Sequence, residues 1–108
     1  DIISLPTIEN FESKEEYYAS LFHELIHWTG HESRLKRTDY DYAYEELIAE
    51  IGSAYLCGIT NISNETIANQ RAYIEAWINR IEKQPKVLLK AAAEAQKAIN
   101  YILKQKEE

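Results

Sequence analysis

The sequence predicts a mainly helical domain, and three observations carry that reading. Apolar residues recur at 3.6-residue spacing over long stretches, only three glycines and two prolines punctuate the 108 residues, and no internal repeat or low-complexity tract interrupts them. One domain with a single modest core is expected at this length. It would span residues 1–108 and, because the chain opens on Asp1 rather than Met, it reads as an excised domain or a processed product.

The opening "DIISLP" is the one plausible strand, short and stopped by Pro6. Ser13 with Glu16 forms a capping box ahead of Tyr17, Tyr18, Leu21, Phe22, Leu25 and Ile26, so a first helix should run to Gly30. At about 100° per residue its apolar stripe is roughly 140° wide. His23 and His27 lie together just past one edge of that stripe. Residues 31 to 42 mix charges and tyrosines without clear period and read as a loop.

A second helix carries Ala43, Leu47, Ile48, Ile51, Ala54 and Tyr55 on its apolar face, with Gly58 as a stop. Gly52 inside it costs about 1 kcal/mol relative to alanine and suggests close approach of another backbone, the alternative being a tolerated defect. Ser63 and Asn64 are cap candidates for a third helix bearing Ile67, Ile74, Trp77, Ile78 and Ile81, which should end near Gln84. Pro85 suits the first turn of a fourth helix. Leu88, Ala91, Ala92, Ala95, Ala98, Ile99 and Ile102 give that helix an alanine-rich inner face for tight packing.

The net charge of −6 and a pI near 5.1 repel phosphate backbones, so direct nucleic-acid binding by this domain is not expected. The small basic run Arg34, Lys36, Arg37 reads as a solvated face, as do the lysines of the C-terminal helix. A single cysteine, Cys57, excludes an internal disulfide, and no apolar stretch is long enough to cross a bilayer. A reducing cytoplasm and no membrane partner are the expectation.

The chemistry-bearing stretch is His23-Glu24-Leu25-Ile26-His27. Imidazoles at i and i+4 sit one above the other on a helical face and can share one Zn²⁺, while the intervening glutamate projects in a neighbouring direction, suited to a general base. A catalytic zinc usually takes three protein ligands and leaves one position for water. The metzincin continuation would require a histidine where this chain has Ser33, although Gly30 occupies the glycine position. His31 is too close to Gly30 to fill that role and reads as a structural or substrate-side residue.

The other common third ligand is a glutamate from a following helix, and "YEELIAEIG" offers three. Eighteen residues separate His27 from Glu46, a spacing that resembles the gluzincin class of metallopeptidases. Glu50, one turn later on the same face, can accept the N–H of a ligating imidazole; Glu45 points elsewhere and reads as solvent-facing. A developing oxyanion needs a further donor, for which Tyr40, Tyr42, Tyr44 and His31 are candidates that no spacing rule separates.

"ENFESKEEYYASLFHELIHWTGHESRLKR", "YAYEELIAEIGSAYLCGI" and "YIEAWI" together resemble the zincin-like C-terminal metallopeptidase domain of the antirestriction ArdC and polyvalent-protein family of plasmids and phages. The resemblance covers nearly the whole chain. It implies a zincin-like fold, metal-dependent cleavage of a peptide or protein substrate, His23 and His27 as ligands, Glu24 as catalytic residue and an acidic ligand from "EELIAE". Family members commonly carry an N-terminal single-stranded-DNA-binding domain, so any contact with DNA is expected from that domain and not from these residues. The rival reading is a metal-stabilised, catalytically inactive interaction module of a DNA-handling protein.

Overall fold

Ser13 begins the first helix as its spacing predicts: in extended conformation, it accepts a hydrogen bond through its side chain from the Glu16 amide at 3.2 Å. In the computed structural model, which describes residues 3–39, 41–62, 65–80 and 85–104, helix α1 spans Lys14–Thr29 and is capped by Gly30. Helix α2 follows at Tyr42–Ile59, opened by the Asp41 side chain accepting from the Tyr44 amide at 2.9 Å. Helices α3, Glu65–Arg80, and α4, Pro85–Lys104, complete the fold.

The mainly helical class is therefore correct, and among the described residues there is no strand. Residues 3–7 are not paired into a sheet, and a single 3-10 turn at Ile8–Asn10 leads into α1. Gly58 does not stop α2, which continues to Ile59 and is closed by Thr60, whose hydroxyl donates to the Leu56 carbonyl at 2.7 Å. A glycine exposed on a helix surface need not end it when the next turn still bonds. Ser63, Asn64, Ile81, Gln84 and Tyr40 lie outside the described residues, as does the side chain of Ile67.

Helix α2 is the centre of the molecule, because it packs against α1, α3 and α4. Ile26 from α1, Leu47, Ile48 and Ile51 from α2, and Ala91, Ala95, Ala98 and Ile99 from α4 form the buried cluster. The alanines of α4 let its backbone approach α2 closely. Leu88, expected on that inner face, is 39% exposed, and Val87 packs against the cluster instead.

Gly52 does mark a close approach, but by a side chain and not a backbone. A Cβ at this position would stand 2.6 Å from Ile26 Cδ1 and 2.7 Å from Ile26 Cγ1. Ile26 is fully buried and precedes His27, so there is little room for it to retreat. Gly52→Ala is expected to destabilise the fold by about 1–3 kcal/mol through overpacking, despite alanine's higher helix propensity. Thermal or urea unfolding of the variant checks this; an increase in stability would show that Ile26 relaxes freely.

Candidate metal centre

The two histidines expected on one face of α1 meet three glutamates from the first half of α2. His23 Nε2 and His27 Nε2 are 3.1 Å apart, and the Glu46 carboxylate bridges them, Oε1 lying 3.3 Å from His23 Nε2 and Oε2 2.6 Å from His27 Nε2. Ligand atoms of His23, His27 and Glu46 all fall within 4.8 Å of one another. The outer nitrogens are held as well: His23 Nδ1 donates to Glu50 Oε1 at 2.6 Å and His27 Nδ1 to Glu45 Oε2 at 2.9 Å.

That second contact corrects the reading of Glu45 as solvent-facing. Its carboxylate receives a fork from Arg37, Nε to Oε1 at 3.0 Å and Nη2 to Oε2 at 2.9 Å, in addition to the His27 proton. Burial pushes the Glu45 carboxyl up, but the hydrogen bonds of His27 and Arg37 and the charges of both outweigh it, so its pKa lies below the ordinary value. An ionised Glu45 already accepting from Arg37 obliges His27 Nδ1 to be the donor. The Nε2 lone pair of His27 is thereby turned inward.

Arg37 also overturns the picture of a solvated basic run. Its guanidinium is buried and further donates through Nη1 to Thr29 Oγ1 at 2.9 Å and through Nη2 to the Ile26 carbonyl at 2.7 Å. Arg34 lies over the Trp28 ring at 3.9 Å and donates to the Trp28 carbonyl, leaving only Lys36 on the open surface. The loop after α1 folds back through Leu35 N to Thr29 O at 2.8 Å and Arg37 N to Gly30 O at 2.9 Å, with Lys36 at φ 56° making the bend. Gly30 gives the guanidinium its passage, since a Cβ there would meet Arg37 Nη2 at 2.9 Å.

The donor set itself tests whether a cation fits. With both Nδ1 protons committed to carboxylates, two imidazole lone pairs and a carboxylate converge on one point, an arrangement that is repulsive without a positive charge between them. Nitrogens each about 2.0–2.1 Å from a tetrahedral zinc stand roughly 3.3 Å apart, close to the separation found here. In the metal-free chain protons partly fill this need. Burial alone would lower the His23 pKa, yet its hydrogen bond to Glu50 and the charges of Glu50, Glu46 and Glu24 raise it above the ordinary value. His23, His27 and Glu46 therefore have the chemistry to hold a zinc ion, with Glu50 and Glu45 each orienting one imidazole.

Glu24 makes no hydrogen bond among the described residues, but its charge acts on His23. Glu24 borders two cavities. One, of about 250 Å³, lies on the His23 side; the other, of about 390 Å³, lies on the His27 side and is walled by Ile3, Trp28, His31 and Arg37. Of the candidate oxyanion donors, His31 reaches that second cavity, its Nδ1 engaged by Ser33 through the hydroxyl at 2.8 Å and the amide at 3.1 Å. Ser33 thus serves His31 and stands apart from the metal cluster.

Tyr42 and Tyr44 are not brought to the site. Tyr42 is 71% exposed with its ring edge-on to Trp77 at 5.6 Å, and Tyr44 packs against the hydrophobic core. Tyr40 lies outside the described residues.

Helical packing that brings a His-Glu-x-x-His helix against a glutamate-bearing helix defines a class of metal-binding hydrolase-like domains. The chain belongs to the zincin-like metallopeptidase family MPTase-PolyVal, whose model matches residues 1–94. It is 39% identical to each of two Escherichia coli proteins called DNA primase TraC, over 95% of this chain but 8% and 10% of theirs. It is 30% identical to protein y4eC of Sinorhizobium fredii (strain NBRC 101917 / NGR234), over 94% of this chain and 35% of that one. The chain thus spans a small part of the curated relatives it matches. No solved structure matches it.

Arg37 and Glu45 are residues the sequence reading missed. Arg37→Met should lower zinc affinity about 10–100-fold, the range for changes in groups that orient ligands. Competition with a chromophoric chelator measures it, and unchanged affinity would show that Glu45 holds His27 without help.

Proposed function

We propose that this domain is a zinc-dependent peptidase of gluzincin-like type, part of an antirestriction-type protein of plasmids or phages acting in the cytoplasm. The observation that carries the reading is the inward convergence of both Nε2 atoms with Glu46 while both Nδ1 atoms are held by carboxylates. That geometry suits a ligand set more than an acidic surface, where glutamates would face water. The name of the Escherichia coli relatives supports a setting in DNA-handling proteins of which this domain is one part. No helix among the described residues is long and apolar enough to cross a membrane.

Bound at His23, His27 and Glu46, zinc would supply an activated water and polarise a substrate carbonyl. Glu24 would take the water's proton as the water oxygen bonds to the carbonyl carbon, and return it to the leaving amine nitrogen as the C–N bond breaks. Its presence in the walls of both cavities supports a peptide lying across them beside it. Glu50 and Glu45, backed by Arg37, hold the imidazoles in the tautomer that keeps their Nε2 lone pairs inward. His31, on the wall of the His27-side cavity, is the candidate to stabilise an oxyanion.

Metal analysis of chain purified without chelator is the direct test, and about one zinc per chain is expected for a three-ligand site. Full occupancy of a His23→Ala, His27→Ala double variant would overturn the assignment. Peptide hydrolysis by the zinc-loaded protein tests the remainder of the reading.

A further inference from the structure

The two cavities that meet at Glu24 differ in chemistry. The larger presents Trp28 and Ile3 and has the Arg37 guanidinium in its wall. The smaller, on the His23 side, is lined by Glu16, Glu24 and Glu50, Ser20 and Ser53, Gln70 and the half-exposed Tyr73, with no lysine or arginine among the described residues. Almost every polar group there can accept a hydrogen bond.

Gln70 adds an independent observation. It is only 5% exposed, and its amide orientation is fixed by its neighbours: Ser53 Oγ donates its proton to the Ala19 carbonyl at 2.9 Å and so accepts from Gln70 Nε2 at 3.1 Å. Cys57 Sγ lies 3.5 Å from the same nitrogen. The NH₂ group is thereby spent, and Gln70 Oε1 is left buried with no donor among the described residues. A buried carbonyl oxygen without a partner is unfavourable, and such groups are nearly always satisfied in native proteins. A wall rich in acceptors with one of them unserved calls for a ligand rich in donors.

We infer that the His23-side cavity is a specificity pocket for a basic side chain, lysine or arginine, of the substrate, recognised by Gln70 and the surrounding carboxylates. This rests on the proposed peptidase reading and adds to it the class of residue beside the cleaved bond. The carboxylates attract the cationic head, and Gln70 supplies a directional acceptor at the pocket wall. An acidic residue would be repelled by Glu16 and Glu24. A purely apolar one would leave Gln70 unpartnered. Selectivity therefore comes as much from what the wall rejects as from what it binds.

The test measures binding of N-acetylated hydroxamates of glycine, leucine and lysine to the zinc-loaded chain by calorimetry, because the hydroxamate anchors on the metal and the side chain explores the neighbouring pocket. Lysine hydroxamate is expected to bind roughly tenfold or more tighter than leucine hydroxamate, as a charge-assisted hydrogen bond gives. Glu16→Gln and Gln70→Leu should each reduce that preference without changing the affinity for glycine hydroxamate. Glu16 lies in the first turn of α1, where glutamine keeps its size, so that variant is secure even if Gln70→Leu disturbs packing. Equal binding of leucine and lysine hydroxamates, with glycine hydroxamate bound, would overturn the pocket assignment alone. Failure of glycine hydroxamate to bind the zinc-loaded chain would overturn the open metal site and this inference with it.

Discussion

Glu24→Gln is expected to lower peptide hydrolysis about 10²–10⁴-fold, the usual worth of a positioned general base, while zinc content and thermal stability stay at the level of the parent chain. Glutamine keeps the size of the side chain and its place at the junction of the two cavities. What it loses is the ability to take a proton. Glu24 makes no hydrogen bond among the described residues and is not one of the three residues whose ligand atoms converge, so the variant leaves that donor set in place and removes only a charge that acts on His23 through space. Kinetics on a peptide substrate, with metal analysis and an unfolding curve on the same preparation, separate the possibilities. Loss of zinc along with activity would make Glu24 a structural residue and weaken the peptidase reading.

The parts of this site that are legible in the sequence share one property, which is that they sit on a regular helix. Once Ser13 fixes the start of α1, the fourfold spacing of His23 and His27 places both imidazoles on one face. The same periodicity on α2 puts Glu46 and Glu50 in line, and the structure brings both to those imidazoles. Glu45 is misread from sequence because helical phase alone turns it from Glu46. Long side chains cross that difference when a partner draws them, and the partner, Arg37, sits in a loop that has no periodicity to read. A count of requirements would have pointed to it: two ligating histidines need two acceptors for their Nδ1 protons, and Glu50 serves only one.

Loop residues also explain the other departures. Tyr42 and Tyr44 fall among the oxyanion candidates because a run of tyrosines beside a metal motif has no intrinsic direction until the helix start is known. Asp41 sets that start, and the first turn it caps carries Tyr42 to Trp77 and Tyr44 to the core. Gly52 is ambiguous in sequence for a related reason, since only the packed structure shows which neighbour presses on it. The opening residues read as a strand from composition, yet a strand exists only by pairing, and residues 3–7 have no such partner among the described residues.

Glu46→Ala is expected to have the largest effect on the metal, removing most zinc affinity and with it the stability that zinc confers. Glu46 alone touches both Nε2 atoms, whereas Glu50 and Glu45 touch only the outer nitrogens. Glu50→Ala should therefore cost a more modest factor of about 10–100 in affinity. At free zinc 100-fold above the dissociation constant, binding stabilises the fold by about 2.7 kcal/mol, so the shift in melting temperature on adding zinc reads the loss directly. The dependence on pH has a definite sign. His23 binds its proton more tightly in the folded metal-free chain than when unfolded, so protonation stabilises that chain fully below about pH 6.5, and the contribution fades as pH rises through the raised folded value. Zinc competes with that proton for the same imidazole, and its stabilising increment should grow over the same rise in the parent chain and stay near zero in Glu46→Ala. A Glu46→Ala variant that retains the full zinc-induced shift, alongside a Glu50→Ala variant that loses it, would reverse the two roles and make Glu50 the ligand.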